Sequence, residues 1–351
     1  MTTLVGVLGW PVEHSRSPAM HNAAFAALGL DWRYEALAVE PERFEPFVRA
    51  LPERGFVGAN VTIPHKVRAL ALADTGTEIA RAAGAANTLT FRAGSIEAHN
   101  TDVEGFLGAL RERVPEAPSG MEAIVLGAGG AARAVVLALL SEKAARVGVW
   151  NRHPERADEL VAALRPYAAN TVLEAVREPD RSGSDLLVNA TSVGMPAAHR
   201  KAPPTADQEA VKELPVSADV WGDRQIVVDL VYRQDGTPLV RLARSRGVPC
   251  IDGFDVLVHQ GAASFRLWTG LEAPVRIARR KCCSGHGLSR MHKELSNLSR
   301  NECIAHPSRP DGRIFHVASF SLGVWQVLKP PDRRRGPIRR SPATAAPPNG
   351  G

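Results

Sequence analysis

Apolar positions over the first 280 residues fall into two alternating spacings. Short runs rich in Val, Ile, Leu and aromatic residues predict strands at 32–39, 57–62, 87–91, 123–126, 147–150, 186–189, 226–230 and 248–251. Helical spacing fills stretches between them, at 17–28, 41–51, 64–72 and 102–113. Ser17-Pro18 offers an N-cap followed by proline at the first helical position, and Gly29 offers a left-handed stop. Strands alternating with helices predict an α/β fold, in which parallel sheets carry helices on both faces. A Pro-bearing break at 115–119 separates two such units, and no internal repeat is evident.

Composition changes this picture only at the C-terminal end. The chain has 351 residues and a formal net charge of +6. Residues 281–351 hold 12 Lys and Arg against 4 Asp and Glu, a net +8. Residues 1–280 hold the remaining 31 against 33, a net −2. The basic excess therefore belongs to a Pro- and Arg-rich tail, expected to be a disordered extension of the kind a frameshift or read-through leaves. The core needs no polyanionic partner, so nucleic acid is not expected for it. Cys283 with His286 and Cys303 with His306 loosely imitate zinc-ligand spacing. Coincidence in a Cys- and His-bearing tail explains that spacing better, and no metal is expected. No apolar run approaches 18 residues, which excludes a spanning helix and with it a membrane role. With no signal-peptide pattern and four scattered cysteines, a reducing, cytoplasmic setting is expected.

Candidate chemistry begins with Gly127-Ala128-Gly129-Gly130-Ala131-Ala132, between a predicted strand and a predicted helix. This is a variant of the dinucleotide fingerprint. Its first glycine permits a tight turn, its second admits the pyrophosphate, and a small third residue allows helix–strand packing. The helix N-terminus beyond it favours phosphate. The next strand ends in Trp150-Asn151-Arg152, where NAD sites usually carry an acid. Arg152 can instead pair with a 2′-phosphate, which points to NADP.

Four polar clusters occupy predicted loops of the first unit: residues 9–22, 60–66, 86–88 and 100–105. Singly, Ser17 and Asp102 read as helix caps, Lys66 as a solvated helix residue and Asn87 as a strand-edge residue. Together they gather hydroxyls, amides, an ammonium and a carboxylate near strand ends, an inventory suited to a small polyhydroxylated acid.

The chain resembles the shikimate dehydrogenase family on these motifs in order: H-S-x-S-P-x-x-H-N, N-V-T-x-P-x-K, N-T, N-T-D-x-x-G, the glycine turn, Asn151-Arg152, residues 189–195, Asp229-Leu230-Val231-Tyr232, and Asp252-Gly253 through Gln260-Gly261-Ala262. The resemblance spans about residues 4 to 278. It implies NADPH-dependent reduction of 3-dehydroshikimate, in aromatic amino-acid biosynthesis. It further implies a substrate-binding domain of 1–104 completed by returning helices at 252–279, a Rossmann-type NADP-binding domain of 105–251 and a cleft between them. By the same resemblance Ser15 and Ser17 would bind the substrate carboxylate. Thr62, Lys66, Asn87, Asp102 and Gln260 would surround the ring hydroxyls and the reacting carbonyl, with Tyr232 closing the pocket. Lys66 and Asp102 form the implied catalytic pair. Gly127, Ala128, Gly129, Gly130 and Ala131 would hold the pyrophosphate, and Asn151 and Arg152 the 2′-phosphate. Leu230 and Gly253 would lie by the nicotinamide, with Glu78 a further candidate there. Three positions depart from the family pattern: His153, Gln234 and the pair Asp255-Val256. Two other readings stay open: a quinate/shikimate dehydrogenase of broader specificity, and a non-catalytic binding protein on the same fold. A homodimer is one assembly open to it.

Overall fold

The computed structural model describes residues 2–179, 184–195, 214–216 and 225–283. The first unit runs β1 (Thr3–Gly9), α1 (Ser17–Ala27), β2 (Trp32–Ala38), α2 (Phe44–Arg49), β3 (Phe56–Val61), α3 (Lys66–Leu72), β4 (Thr75–Gly76), α4 (Glu78–Ala83), β5 (Thr88–Arg92) and β6 (Ser95–His99). Helix α5 (Asp102–Arg113) leads into the second unit. That unit comprises β7 (Glu122–Leu126), α6 (Gly130–Ser141), β8 (Arg146–Trp150), α7 (Pro154–Leu164), β9 (Val172–Ala175), β10 (Leu186–Asn189), β11 (Ile226–Asp229), α8 (Pro238–Ser245) and β12 (Cys250–Ile251). The chain then returns through α9 (Gly253–Thr269) and α10 (Val275–Cys283).

The expected α/β architecture is present as two six-stranded sheets. The second has the order β12-β11-β10-β7-β8-β9, with every pair parallel. This is the doubly wound order, and its switch point lies between β7 and β10. The first sheet, ordered β2-β1-β3-β5-β6-β4, has a parallel half, but β5 runs antiparallel to both β3 and β6. The reversal has a use. It brings the start of β5 beside the ends of β3 and β6, so residues from three strands meet at one edge.

Side chains alternate across β1 as strand pleating requires. Val5 and Val7 pack with Phe25, Phe265 and Trp268 on one face, and Leu8 packs with Phe44, Val48 and Leu72 on the other. The second sheet is likewise covered twice. Val125, Val149 and Val188 meet Phe106, Val135 and Leu160, while Ile124, Leu187 and Val227 meet Leu239 and Ala243. Each such buried aliphatic or aromatic side chain contributes about 1.5–3 kcal/mol of transfer free energy.

Helix α9 belongs with the first sheet, and Trp268 Nε1 donates to the carbonyl of Leu89 at 3.1 Å. It crosses α5 closely: a Cβ on Gly105 would lie 2.5 Å from Gln260 Cβ and 2.8 Å from Gln260 N. Helix α5 also packs on α6, joining the two units. It runs unbroken through residues 104 and 105, so the expected boundary falls inside a helix. The expected start of the tail at 280 similarly falls inside α10, which continues to Cys283. Expectations for residues 284–351, including the Cys303 and His306 spacing, lie outside the described residues. Among the described residues no helix is long and apolar enough to cross a membrane, and no group of His, Cys, Asp and Glu could hold a metal ion.

Candidate active site

Helix starts at the sheet edge present the key side chains. Ser17 and Asp102, read singly as caps, are instead the first residues of α1 and α5; the cap positions are Arg16 and Thr101, and neither caps through its side chain. The Asp102 carboxylate is thereby available for other partners. Lys66 opens α3 after Thr62-Ile63-Pro64-His65, a turn closed by the His65 N–H donating to the Thr62 carbonyl at 2.9 Å.

Lys66 Nζ donates to Asp102 Oδ2 at 2.6 Å, with the side chains 26% and 21% exposed. The pair is therefore sheltered yet reachable by solvent or ligand. Asn87, expected at a strand edge, is buried just ahead of β5, and its Nδ2 donates to Asp102 Oδ1 at 2.7 Å. Asn87 Oδ1 accepts from the backbone N–H of Thr101 at 2.7 Å. Both oxygens of Asp102 are thus engaged, and Asn87 is locked in one amide orientation. Gln260 reaches across from α9, where its Oε1 lies 3.3 Å from Asn87 Nδ2. The structure therefore brings together Lys66, Asn87, Asp102 and Gln260.

A polar layer behind this group escaped the sequence reading. Asn60 Nδ2 donates to Thr88 Oγ1 at 2.9 Å and to Ser264 Oγ at 2.8 Å, while the Tyr34 hydroxyl donates to Asn60 Oδ1 at 2.8 Å. Tyr34 is also tied to α1, where Asn22 Oδ1 accepts from the Tyr34 N–H at 2.8 Å. The layer thus connects α1 to the residues around Asp102. An asparagine in the middle of a buried strand was the available signal, because buried polar groups need partners. Ser264 lies one helical turn beyond Gln260, a second signal. His21, from the first motif, stacks on Tyr34 with ring centroids 4.4 Å apart. Burial lowers its pKa to about 3, so it is a neutral packing group.

At the other sites, Ser15 Oγ accepts from the Ser17 N–H at 3.3 Å, and Thr62 is half-buried at the end of β3. Tyr232 is half-buried against Phe254, with ring centroids 5.1 Å apart, and burial raises its phenol pKa. Glu78 is exposed on α4, and its carboxylate has no hydrogen-bond or ion-pair partner among the described residues. The structure does not draw Glu78 into either group.

The second unit holds the glycine turn where a dinucleotide needs it. Gly127 ends β7 with φ +112°, and a Cβ there would lie 2.8 Å from the Ala190 carbonyl at the switch point. That position therefore requires glycine on two counts. Gly129 and Gly130 face open space, with nothing within 4 Å of an added Cβ, at the start of the 12-residue α6. No side chain caps α6. Its free N–H groups and dipole fit a pyrophosphate. Ala128 and Ala131 are half-buried within the turn. Asn151 is half-buried at the end of β8, and Arg152 is exposed without a carboxylate partner among the described residues. These residues fit a dinucleotide bearing a 2′-phosphate.

Of the three departures, Asp255 finds partners in Arg279, 3.1 Å away, and Arg113, 4.0 Å away. His153 precedes α7 and is exposed, 3.8 Å from Glu155. Gln234 is half-buried beyond Tyr232.

A doubly wound dinucleotide-type sheet beside an α/β unit with a Lys–Asp pair defines a two-part reductase architecture. Family comparisons narrow that class. The shikimate dehydrogenase substrate-binding domain matches residues 7–89, shikimate/quinate 5-dehydrogenase matches 110–225, and the shikimate 5′-dehydrogenase C-terminal domain matches 253–282. The NADP(+) shikimate dehydrogenase of Methanopyrus kandleri is 44% identical over 283 residues, covering 79% of this chain and 94% of the relative. That of Citrifermentans bemidjiense is 42% identical over 279 residues, covering 78% and 92%. The crystal structure of the Thermus thermophilus enzyme in complex with NADP(H) and shikimate is 37% identical, with TM-score 0.69 over 80% of this chain and 98% of that one. The chain belongs to the shikimate dehydrogenase family.

Proposed function

We propose that this chain catalyses the reversible NADPH-dependent reduction of 3-dehydroshikimate to shikimate, a step toward chorismate and the aromatic amino acids. The observation that carries the reading is the sheltered Lys66–Asp102 pair, fixed by Asn87. NADPH, when bound, supplies the hydride to the ketone carbon. Lys66 answers the charge that develops on the carbonyl oxygen, donating a proton from Nζ as the alkoxide forms. Asp102 keeps the ammonium aimed, and Asn87 keeps the carboxylate in register. Because Lys66 is partly exposed, water can return its proton after turnover.

Residues 1–104 with 252–279 serve as the substrate part in this reading, and 105–251 as the cofactor part. Ser15 and Ser17 take the substrate carboxylate, Thr62 and Gln260 contact the ring hydroxyls, and Tyr232 closes the pocket. Gly127 to Ala131 hold the pyrophosphate, Asn151 and Arg152 the 2′-phosphate, and Leu230 and Gly253 flank the nicotinamide. Glu78 is the least supported of the proposed contacts. Retention of both Lys66 and Asp102 disfavours the silent binding protein. The test is NADPH oxidation by the purified chain with 3-dehydroshikimate and, separately, 3-dehydroquinate. Turnover of the first is expected; turnover of the second alone would move the chain to the quinate reading.

A further inference from the structure

The catalytic reading leaves one buried carboxylate unused. Asp229 ends β11 with 0% exposure. Its Oδ1 accepts from Asn189 Nδ2 at 2.9 Å and from the Val231 N–H at 3.0 Å, and its Oδ2 accepts from the Thr237 hydroxyl at 2.5 Å. A buried charge is tolerable only with such donors, and burial still pushes this carboxyl up to about 6.

The donors control two loops, Asn189 the one that leaves β10, and Val231 and Thr237 the one that leaves β11. Asn189 ends β10, and its Oδ1 accepts from the Thr191 N–H at 3.1 Å and the Thr191 hydroxyl at 2.7 Å. Thr191 Oγ1 in turn accepts from the Val193 N–H at 3.0 Å, which shapes the turn after Asn189. Thr237 Oγ1 accepts from the Val240 N–H at 3.2 Å and caps α8. The Val231 N–H fixes the backbone just after Leu230, whose carbonyl lies 2.5 Å from where a Cβ on Gly253 would be. The Ala190 carbonyl borders Gly127. One carboxylate thus ties together the loops that leave β10 and β11, and the first of them abuts the glycine turn after β7.

We propose that Asp229 is a positioning residue of the dinucleotide site, holding the loops after β10 and β11 in mutual register without touching the cofactor. The inference rests on reading the glycine turn at the switch point as part of the NADP site. An asparagine at 229 keeps the volume but puts an N–H donor where one oxygen accepted, so one of the three ties must break or reverse its direction, and the carboxylate charge that held all three is gone. The loops then sample wider geometries, and the ligand must select among them, which weakens its binding.

The test measures NADP+ and shikimate binding by calorimetry on the full chain, with thermal melting alongside. Asp229→Asn is expected to weaken NADP+ about tenfold and leave shikimate binding within twofold. Thr237→Val, which removes the hydroxyl donor, is expected to shift NADP+ in the same direction, and Thr237→Ser to restore it. A folded Asp229→Asn protein that binds NADP+ like wild type overturns the proposal. If Asp229→Asn does not fold, unchanged NADP+ affinity in Thr237→Val overturns it instead. Equal weakening of NADP+ and shikimate also overturns it, because a general loss of structure would act on both. Wild-type chain that fails to bind NADP+ removes the cofactor reading and this inference with it, an outcome distinct from wild-type binding indifferent to residue 229.

Discussion

At the scale of single residues, the site works by committing its polar atoms to fixed partners. Asp102 commits its two oxygens to Lys66 and Asn87, and Asn87 Oδ1 accepts from the Thr101 N–H and the Thr88 hydroxyl. Little rotational freedom remains, so the ammonium is aimed before a ligand arrives, the condition under which an oriented donor is most effective. Arg152 shows the opposite arrangement, an exposed guanidinium with no carboxylate partner among the described residues. Arg152→Ala is expected to raise the KM for NADPH about tenfold or more while changing the KM for NADH little, since only the former carries the 2′-phosphate. Equal effects on both would remove Arg152 from that role. The grouping of Lys66, Asn87 and Asp102 was legible in motif order through the family resemblance. Ser17 and Asp102 taken singly read as caps because local sequence shows only that a short polar residue precedes a helix. Which atoms it meets depends on partners far along the chain, and Asn60 and Ser264 are 204 positions apart.

At the scale of elements, α5 and α10 are clamped by charge. Glu112 on α5 accepts from Arg279 on α10 at 2.7 Å through Oε1, and Oε2 lies 2.9 Å from His259 Nε2 on α9. The Arg279 hydrogen bond is the main reason the Glu112 carboxyl falls to about 2, from an ordinary 4.5. A depressed carboxyl stabilises the fold above its unfolded pKa, and this contribution fades as pH drops from about 4.5 to about 2. Glu112→Gln should therefore melt lower than wild type at pH 7, and the gap should close by about pH 2. The shift will be modest, because the Glu112 side chain is 43% exposed and solvent screens the pair. An equal gap at both ends of the range, followed by calorimetric melting, would contradict the clamp. The order of strands and helices was legible in the spacing of apolar residues, apart from β1, β4, α4, β6 and β9 and the returning helices α9 and α10, which only the family resemblance implied. Residues 95–99 alternate small, polar and apolar side chains too weakly to stand out, and their strand exists because β5 offers it an antiparallel ladder. The sequence spacing predicted the α/β class but carried no sign of that reversal.

At the scale of the whole molecule, the two sheets carry different chemistry. The doubly wound sheet places the glycine turn at its switch point, and the mixed sheet presents Lys66, Asn87 and Asp102 at one edge. Helices α5 and α9 fasten the second to the first, and Gly105 permits their close approach. The central claim is that Lys66 donates the proton in NADPH-dependent reduction. Its most direct test is the initial rate of NADPH oxidation with saturating 3-dehydroshikimate, measured for wild type and for Lys66→Ala side by side. Clear turnover is expected in wild type, with a fall in kcat of about 100-fold or more in the variant and only a modest change in KM. A variant turning over near the wild-type rate, or a wild type that leaves NADPH unoxidised, would contradict it.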